Sequence, residues 1–119
     1  MSAGVYDIII EQGSTFAFEI TLTSDGTHPI VLTDYLGRGM IRHHAADLEP
    51  MASFTVTILD ALTGKIGIYL SAEDSSAIPL RGYGYDERTV FYYDIEIYKD
   101  DQVIRVLNGQ AQISPEITK

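Results

Sequence analysis

Tyr92-Tyr-Asp-Ile-Glu-Ile-Tyr98, followed by Lys99-Asp-Asp-Gln102 and Val103-Ile-Arg-Val-Leu-Asn-Gly-Gln-Ala-Gln-Ile113, is the stretch that decides the fold. Apolar and polar residues alternate through it, and a pair of turn formers, Asp100-Asp101, interrupts it. A period of two sends successive side chains to opposite faces, so the pattern predicts half-buried antiparallel strands joined as a hairpin, not helices. If Phe91, Tyr93, Ile95 and Ile97 pack the core, then Tyr92, Asp94, Glu96 and Tyr98 face outward. Asn108-Gly109 is expected to bend the chain into a last short strand at 110–113, and Pro115 to end it.

A matching segment lies at the other end. In Glu11-Gln-Gly-Ser-Thr-Phe-Ala-Phe-Glu-Ile-Thr-Leu-Thr23, Phe16, Phe18, Ile20 and Leu22 share one face, while Ala17, Glu19, Thr21 and Thr23 share the other. Ser24-Asp25-Gly26 forms a turn, since glycine accepts positive φ and Asp can bond its own backbone, and residues 29–33 follow as its hairpin partner. Working inward, residues 5–10 start the sheet and Gln12-Gly13 turns it. Residues 35–43 form a less regular strand, in which Gly37 and Gly39 mark a bulge or a close backbone approach. Residues 45–51, with Pro50, lack sheet periodicity and form the loop expected to reach outward.

Alternation resumes at 53–59 with Phe54, Val56 and Ile58 inward. It continues after the turn 60–64 with Ile66, Ile68 and Leu70. Ser71-Ala-Glu-Asp74 has the form of a capping box and predicts one short helix near residues 72–78, stopped by Pro79. The glycine-rich run 81–88 is a loop before the long strand 89–99. About seven or eight short strands with one minor helix predict an all-β, antiparallel β-sandwich of immunoglobulin-like type, folded as a single domain over residues 1–119.

Composition narrows the function. The chain has 119 residues, 45% hydrophobic and 21% charged, which is an ordinary globular balance. A net charge of −9 and scattered Lys and Arg argue against nucleic acid and anionic membrane surfaces. Without cysteine there is neither a disulfide framework nor thiol chemistry. Residues 1–7 lack the charged and apolar regions of a signal peptide, and no apolar run is long enough to span a bilayer.

Candidate chemistry is sparse. His43 and His44 are adjacent, so in a strand they point apart and cannot grip one ion with His28. Glu73-Asp74, Asp86-Glu87 and Asp100-Asp101 lack the alternating carboxylates and glycine of a calcium loop and fit solvated turns. No nucleophile triad, phosphate-cradling loop or paired metal-ligand motif is present, so the expectation is a non-enzyme without catalytic, metal or cofactor residues. The tyrosines say more. Five of the eight, Tyr83, Tyr85, Tyr92, Tyr93 and Tyr98, lie close together, and exposed tyrosine is enriched at interfaces. Tyr83, Tyr85, Tyr92 and Tyr98, with Leu48 and Met51 of the outward loop, are therefore the interface candidates.

Several segments, in their order, carry a resemblance: Gly13-Ser-Thr-Phe-Ala-Phe-Glu-Ile20, the Ser-Asp-Gly turn with Pro29-Ile-Val-Leu-Thr33, Gly64-Lys-Ile-Gly-Ile-Tyr-Leu70, Ser71-Ala-Glu-Asp74, Tyr93-Asp-Ile-Glu96, Val106-Leu-Asn-Gly109 and Ile113-Ser-Pro-Glu-Ile-Thr118. Together they resemble small tailed-bacteriophage virion proteins, in particular the N-terminal domain of phage baseplate upper proteins. That resemblance implies a structural β-sandwich, made in the host cytoplasm and located in the virion, docking onto other phage proteins in symmetric copies. It implies a tail or baseplate component, with capsid decoration or head completion as the alternative place. From another class, a carbohydrate-binding module stacking the tyrosine loop on a host-surface glycan is the rival.

Overall fold

The computed structural model describes residues 4–24, 27–42, 51–78 and 89–114. Eight strands and one helix form: β1 (Gly4–Val5), β2 (Ile8–Glu11), β3 (Phe16–Thr21), β4 (Leu36–Arg42), β5 (Ala52–Asp60), β6 (Lys65–Leu70), α1 (Ala72–Ser76), β7 (Thr89–Lys99) and β8 (Gln102–Ser114). They make one path of pairings, β1-β8-β7-β4-β5-β6-β3, with β2 also on β8. The path curls because β5 changes partner: residues 52–54 pair with β4, and residues 55–60 pair with β6. The expected immunoglobulin-like all-β fold is what forms, with its core between the two halves of the curl.

Alternation sorts the side chains as their polarity dictates. Phe91, Tyr93, Ile95 and Ile97 of β7 are buried, as are Ile41, Phe54, Ile66, Ile68, Leu70, Ala111 and Ile113 of its neighbours. Gly37 and Gly39 sit on the inner face of β4 and mark no bulge. They leave room for Val56 at one position and for Ile95 and Phe54 at the other, so the close approach comes from side chains.

Three details differ from the sequence expectations. The sheet is mixed, because β1 and β2 run parallel to β8. Residues 102–114 form one strand, without a bend at Asn108-Gly109. The irregularity is a bulge: Glu96 opposes Arg105 and Ile95 opposes Leu107, which leaves Val106 as an extra residue. Ile104 and Val106 point inward before the bulge, and Leu107, Ala111 and Ile113 after it. Residues 29–33 do not build a second hairpin strand; a single bridge joins Thr23 to Pro29. Proline offers no N–H to a ladder, and the amide of Leu32 instead donates to the Ala61 carbonyl at 2.7 Å.

The short helix forms at Ala72–Ser76, inside the span expected, and the Ser71 hydroxyl accepts from the Asp74 N–H at 3.0 Å. Its buried Ser75 hydroxyl donates to the Ser14 carbonyl and accepts the Gly13 N–H, which ties the helix to the β2–β3 turn. The turn at residues 25–26, the loop 43–50 and the run 79–88 lie outside the described residues.

The link between β1 and β2, which follow one another along the same edge of β8, is pinned at three points. Tyr93 donates its buried hydroxyl to the Tyr6 carbonyl, Asp7 accepts the Gln110 N–H at 3.0 Å, and Gly109 lies directly against the Tyr6 backbone. Burial, with the nearby Asp7 and Tyr6, holds the Tyr93 hydroxyl far above its ordinary pKa, so it stays a donor. A Cβ at position 109 would overlap the Tyr6 carbonyl. Gly109→Ala should therefore cost about 2–3 kcal/mol in urea unfolding. Tyr93→Phe, which leaves that carbonyl unpaired, should cost about 1–2 kcal/mol. Neutral results for both would show that the link is not held in this way.

Candidate functional site

The outer face of β4, β7 and β8 gathers polar and charged side chains of the described residues around an open depression. Register builds it in rows across the three strands. Leu36, Tyr98 and Val103 form the first row; Arg38, Glu96 and Arg105 the second; Met40, Asp94 and Asn108 the third; Arg42, Tyr92 and Gln110 the fourth. Val5 of β1 extends the third row, and Val90, Gln112 and Ile9 close the far end. The ends are therefore apolar and the middle is charged. Leu36, Val103, Tyr92, Val90 and Ile9 are all exposed.

Three of the eight Lys and Arg residues of this acidic chain meet here. Two of them are compensated locally. Arg38 pairs with Glu96 at 2.9 Å and lies over the Tyr98 ring, and Arg105 pairs with Asp94 at 3.5 Å. Arg42 differs. Its guanidinium touches the Met40 sulfur at 3.4 Å, its Nε is buried without a hydrogen-bond partner, and no carboxylate among the described residues forms an ion pair with it. Among the described residues Asn108 Oδ1 is the other buried side-chain atom left without a partner, and it too lines this depression. Buried polar atoms are nearly always satisfied in folded proteins, so two orphans in one concave face point to groups supplied from outside.

Burial, reinforced by Glu96, raises the pKa of Asp94 above its ordinary value, while Arg105, Arg42 and Arg38 pull it down. These carboxylates balance arginines; Asp94 and Glu96 are each held in an ion pair. The arrangement is suited to recognition by charge and shape.

The interface candidates read from the sequence are placed unequally. Tyr92 stands exposed on this face, between Arg42 and Gln110, and Tyr98 is half-buried beneath Arg38. Met51 does not reach outward: it packs against the core, and its amide donates to the Ile41 carbonyl at 2.7 Å. Tyr83, Tyr85 and Leu48 lie outside the described residues, as do His43 and His44. Arg38, Arg42, Arg105 and Asn108 were missed by sequence reasoning. The signal was present in part, since Arg38, Met40 and Arg42 alternate with Gly37, Gly39 and Ile41, but only strand pairing brings Arg105 and Asn108 beside them.

No protein-family model matches the chain, and no curated protein matches it in sequence. Solved structures do share its fold. A chaperone of Pseudomonas aeruginosa, CupB2, is 14% identical with a TM-score of 0.58, over 95% of this chain and 55% of that one. The periplasmic chaperone SfaE is 13% identical with a TM-score of 0.51, over 98% of this chain and 58% of that one. The chain thus spans somewhat more than half the length of the chaperones it matches, and the likeness is one of fold.

These neighbours overturn the phage resemblance and what followed from it. The two solved structures named above are chaperones, one of them periplasmic, and neither is a baseplate upper protein. The virion location, the tail, baseplate or capsid role and the symmetric phage partners are corrected accordingly. The segments that carried the resemblance are strand and turn chemistry that any sandwich of this size needs, so their order reported the architecture. The carbohydrate-binding rival is not carried forward, and its two loop tyrosines fall outside the described residues.

Two expected outcomes follow from the site. Because the folded pKa of Asp94 lies above its ordinary 3.8, the folded state binds that proton more tightly than the unfolded chain. Its contribution to stability is complete below the unfolded value and declines as pH rises through the folded one. Asp94→Asn should therefore gain in urea midpoint relative to the wild type as pH is raised above 3.8, whereas a constant difference would clear Asp94 of that role. Arg42→Met removes an unpaired buried donor, so it should leave stability within about 1 kcal/mol of wild type or raise it. A loss above about 2 kcal/mol would mean that Arg42 serves the fold.

Proposed function

We propose that the chain is a non-enzymatic, chaperone-like binding domain that holds a partner polypeptide by adding a strand to β8. The observation that carries this is the incomplete cover of β8. That strand runs from Gln102 to Ser114, yet β1 and β2 pair with it only from Leu107 onward. Among the described residues, 102–106 have β7 on one side and no strand on the other. An unpaired strand edge is a ready template for main-chain hydrogen bonds from an extended segment.

The surroundings favour occupation. Val103 is 49% exposed and stands in a row with Leu36 and Tyr98, so a strand laid beside residues 102–106 meets an apolar shelf for its outward side chains. Backbone pairing supplies affinity without regard to sequence, while such a shelf supplies preference, a combination suited to holding a chain whose own folding is incomplete. The fold shared with chaperones supports the reading.

Amide hydrogen exchange with a soluble eight-residue peptide of alternating valine and threonine tests it. Binding should slow exchange by tenfold or more at those amides of residues 102–106 that point away from β7, and leave the β5–β6 turn, where Leu62 is exposed, unchanged. If the peptide binds without slowing those amides, or fails to bind at millimolar concentration, strand addition is wrong.

A further inference from the structure

We infer that the outer face of β4, β7 and β8 is a specific site for an acidic side chain of an extended peptide, with Arg42 receiving the carboxylate and Asn108 receiving a main-chain N–H of the same segment. The inference rests on the reading that the partner is a polypeptide, but it does not need strand addition at β8.

Of the three arginines on the face, only Arg42 has no carboxylate partner among the described residues. Arg38 and Arg105 are occupied by Glu96 and Asp94, and Asp7 at the rim is engaged by the Gln110 N–H. Arg42 is thus the one arginine of the face without an ion pair among the described residues, and a single carboxylate completes it; Asp7, bonded by a neutral N–H, keeps its charge and disfavours a second. A phosphate would bring more negative charge than this face leaves unpaired and would stand against Asp94 and Glu96. The free Nε is a donor and needs an acceptor; Asn108 Oδ1 is an acceptor and needs a donor. A peptide with Glu or Asp offers both kinds of group, whereas a lone carboxylate ion offers only acceptors.

Spacing agrees. Arg42 is on β4 and Asn108 on β8, with β7 between them and one row of offset along the strands, so they lie about 12 Å apart. About three to four extended residues cover that distance. A segment crossing the strands passes over Tyr92, which is 45% exposed beside Arg42 in the same row, and has Val5 and Val90 at its flanks. The ligand is therefore an acidic residue flanked by apolar ones, and its recognition is electrostatic at the centre and apolar at the edges. The Met40 sulfur, which Arg42 now touches, is a weak acceptor that a carboxylate displaces without loss.

The test uses two fluorescent peptides, acetylated and amidated, Val-Tyr-Val-Glu-Val-Tyr-Val and the same sequence with Gln for Glu, titrated by polarisation against the full chain. The Glu peptide should bind at least tenfold more tightly at low salt, and that advantage should shrink several-fold as salt is raised. Arg42→Gln should abolish the preference, Arg42→Lys should keep part of it, and the Arg42 Nε–H resonance should shift with the Glu peptide alone. Should Arg42→Gln fail to fold, Tyr92→Glu provides the control: the position is exposed, and its new charge beside Arg42 should erase the preference. Equal binding of the two peptides, a preference that survives Arg42→Gln, or no binding by either at millimolar concentration overturns the inference. Protection of residues 102–106 by both peptides without discrimination would sink this site and leave strand addition standing. Discrimination without protection would do the reverse.

Discussion

The β7–β8 ladder is the constraint on which the rest depends. Eleven residues of β7 and thirteen of β8 pair along their length, and every other strand of that half of the curl attaches to one of them: β4 to β7, and β1 and β2 to β8. Because a strand sends alternate side chains to opposite faces, the same ladder that buries Phe91, Tyr93, Ile95 and Ile97 displays Tyr92, Asp94, Glu96 and Tyr98. Core and candidate site are two sides of one alternation. A slip of a single residue would put isoleucines in water and carboxylates in the core, which is why such a register is strongly specified.

The bulge at Val106 reconciles two demands within β8. Ile104 and Val106 serve the core on one parity and Leu107, Ala111 and Ile113 on the other, so the strand absorbs one extra residue where the parity changes. The same place divides the strand by partner. Beyond it, β1 and β2 complete the hydrogen bonding; before it, the outer edge is without a strand among the described residues. On the outer face, the bulge brings Arg105 and Asn108 to consecutive rows although three positions separate them, and so sets Arg105 against Asp94.

Much of this fold is legible in the chain because one face of each long strand is apolar. Phe54, Ile66, Ile68, Leu70 and the odd residues of β7 announce their side by period alone, and Ser71 announces the helix by its place before an acidic turn. Partnership is less legible. Ile8-Ile9-Ile10 is a short apolar run that any strand could pair, so nothing local tells that its partner is β8 or that the pairing is parallel. Ile30-Val31-Leu32 has strand composition, yet it follows a proline and hangs its amides on Leu22 and Ala61 instead of on a ladder. The candidate site suffers most, for Arg42 and Asn108 are 66 positions apart and only the β4–β7–β8 register brings them to one depression.

Gly4 pairs with Leu107, and Asp7 bonds the amide of Gln110, 103 positions away. β1 and β2 therefore leave the ribosome without this partner and wait until β8 has been made. Contacts of such long separation slow folding, and the nascent Ile8–Glu11 segment must wait in a state that other chains can capture. Synthesis order, through these parallel pairings, defers closure of this sheet edge until β8 has emerged.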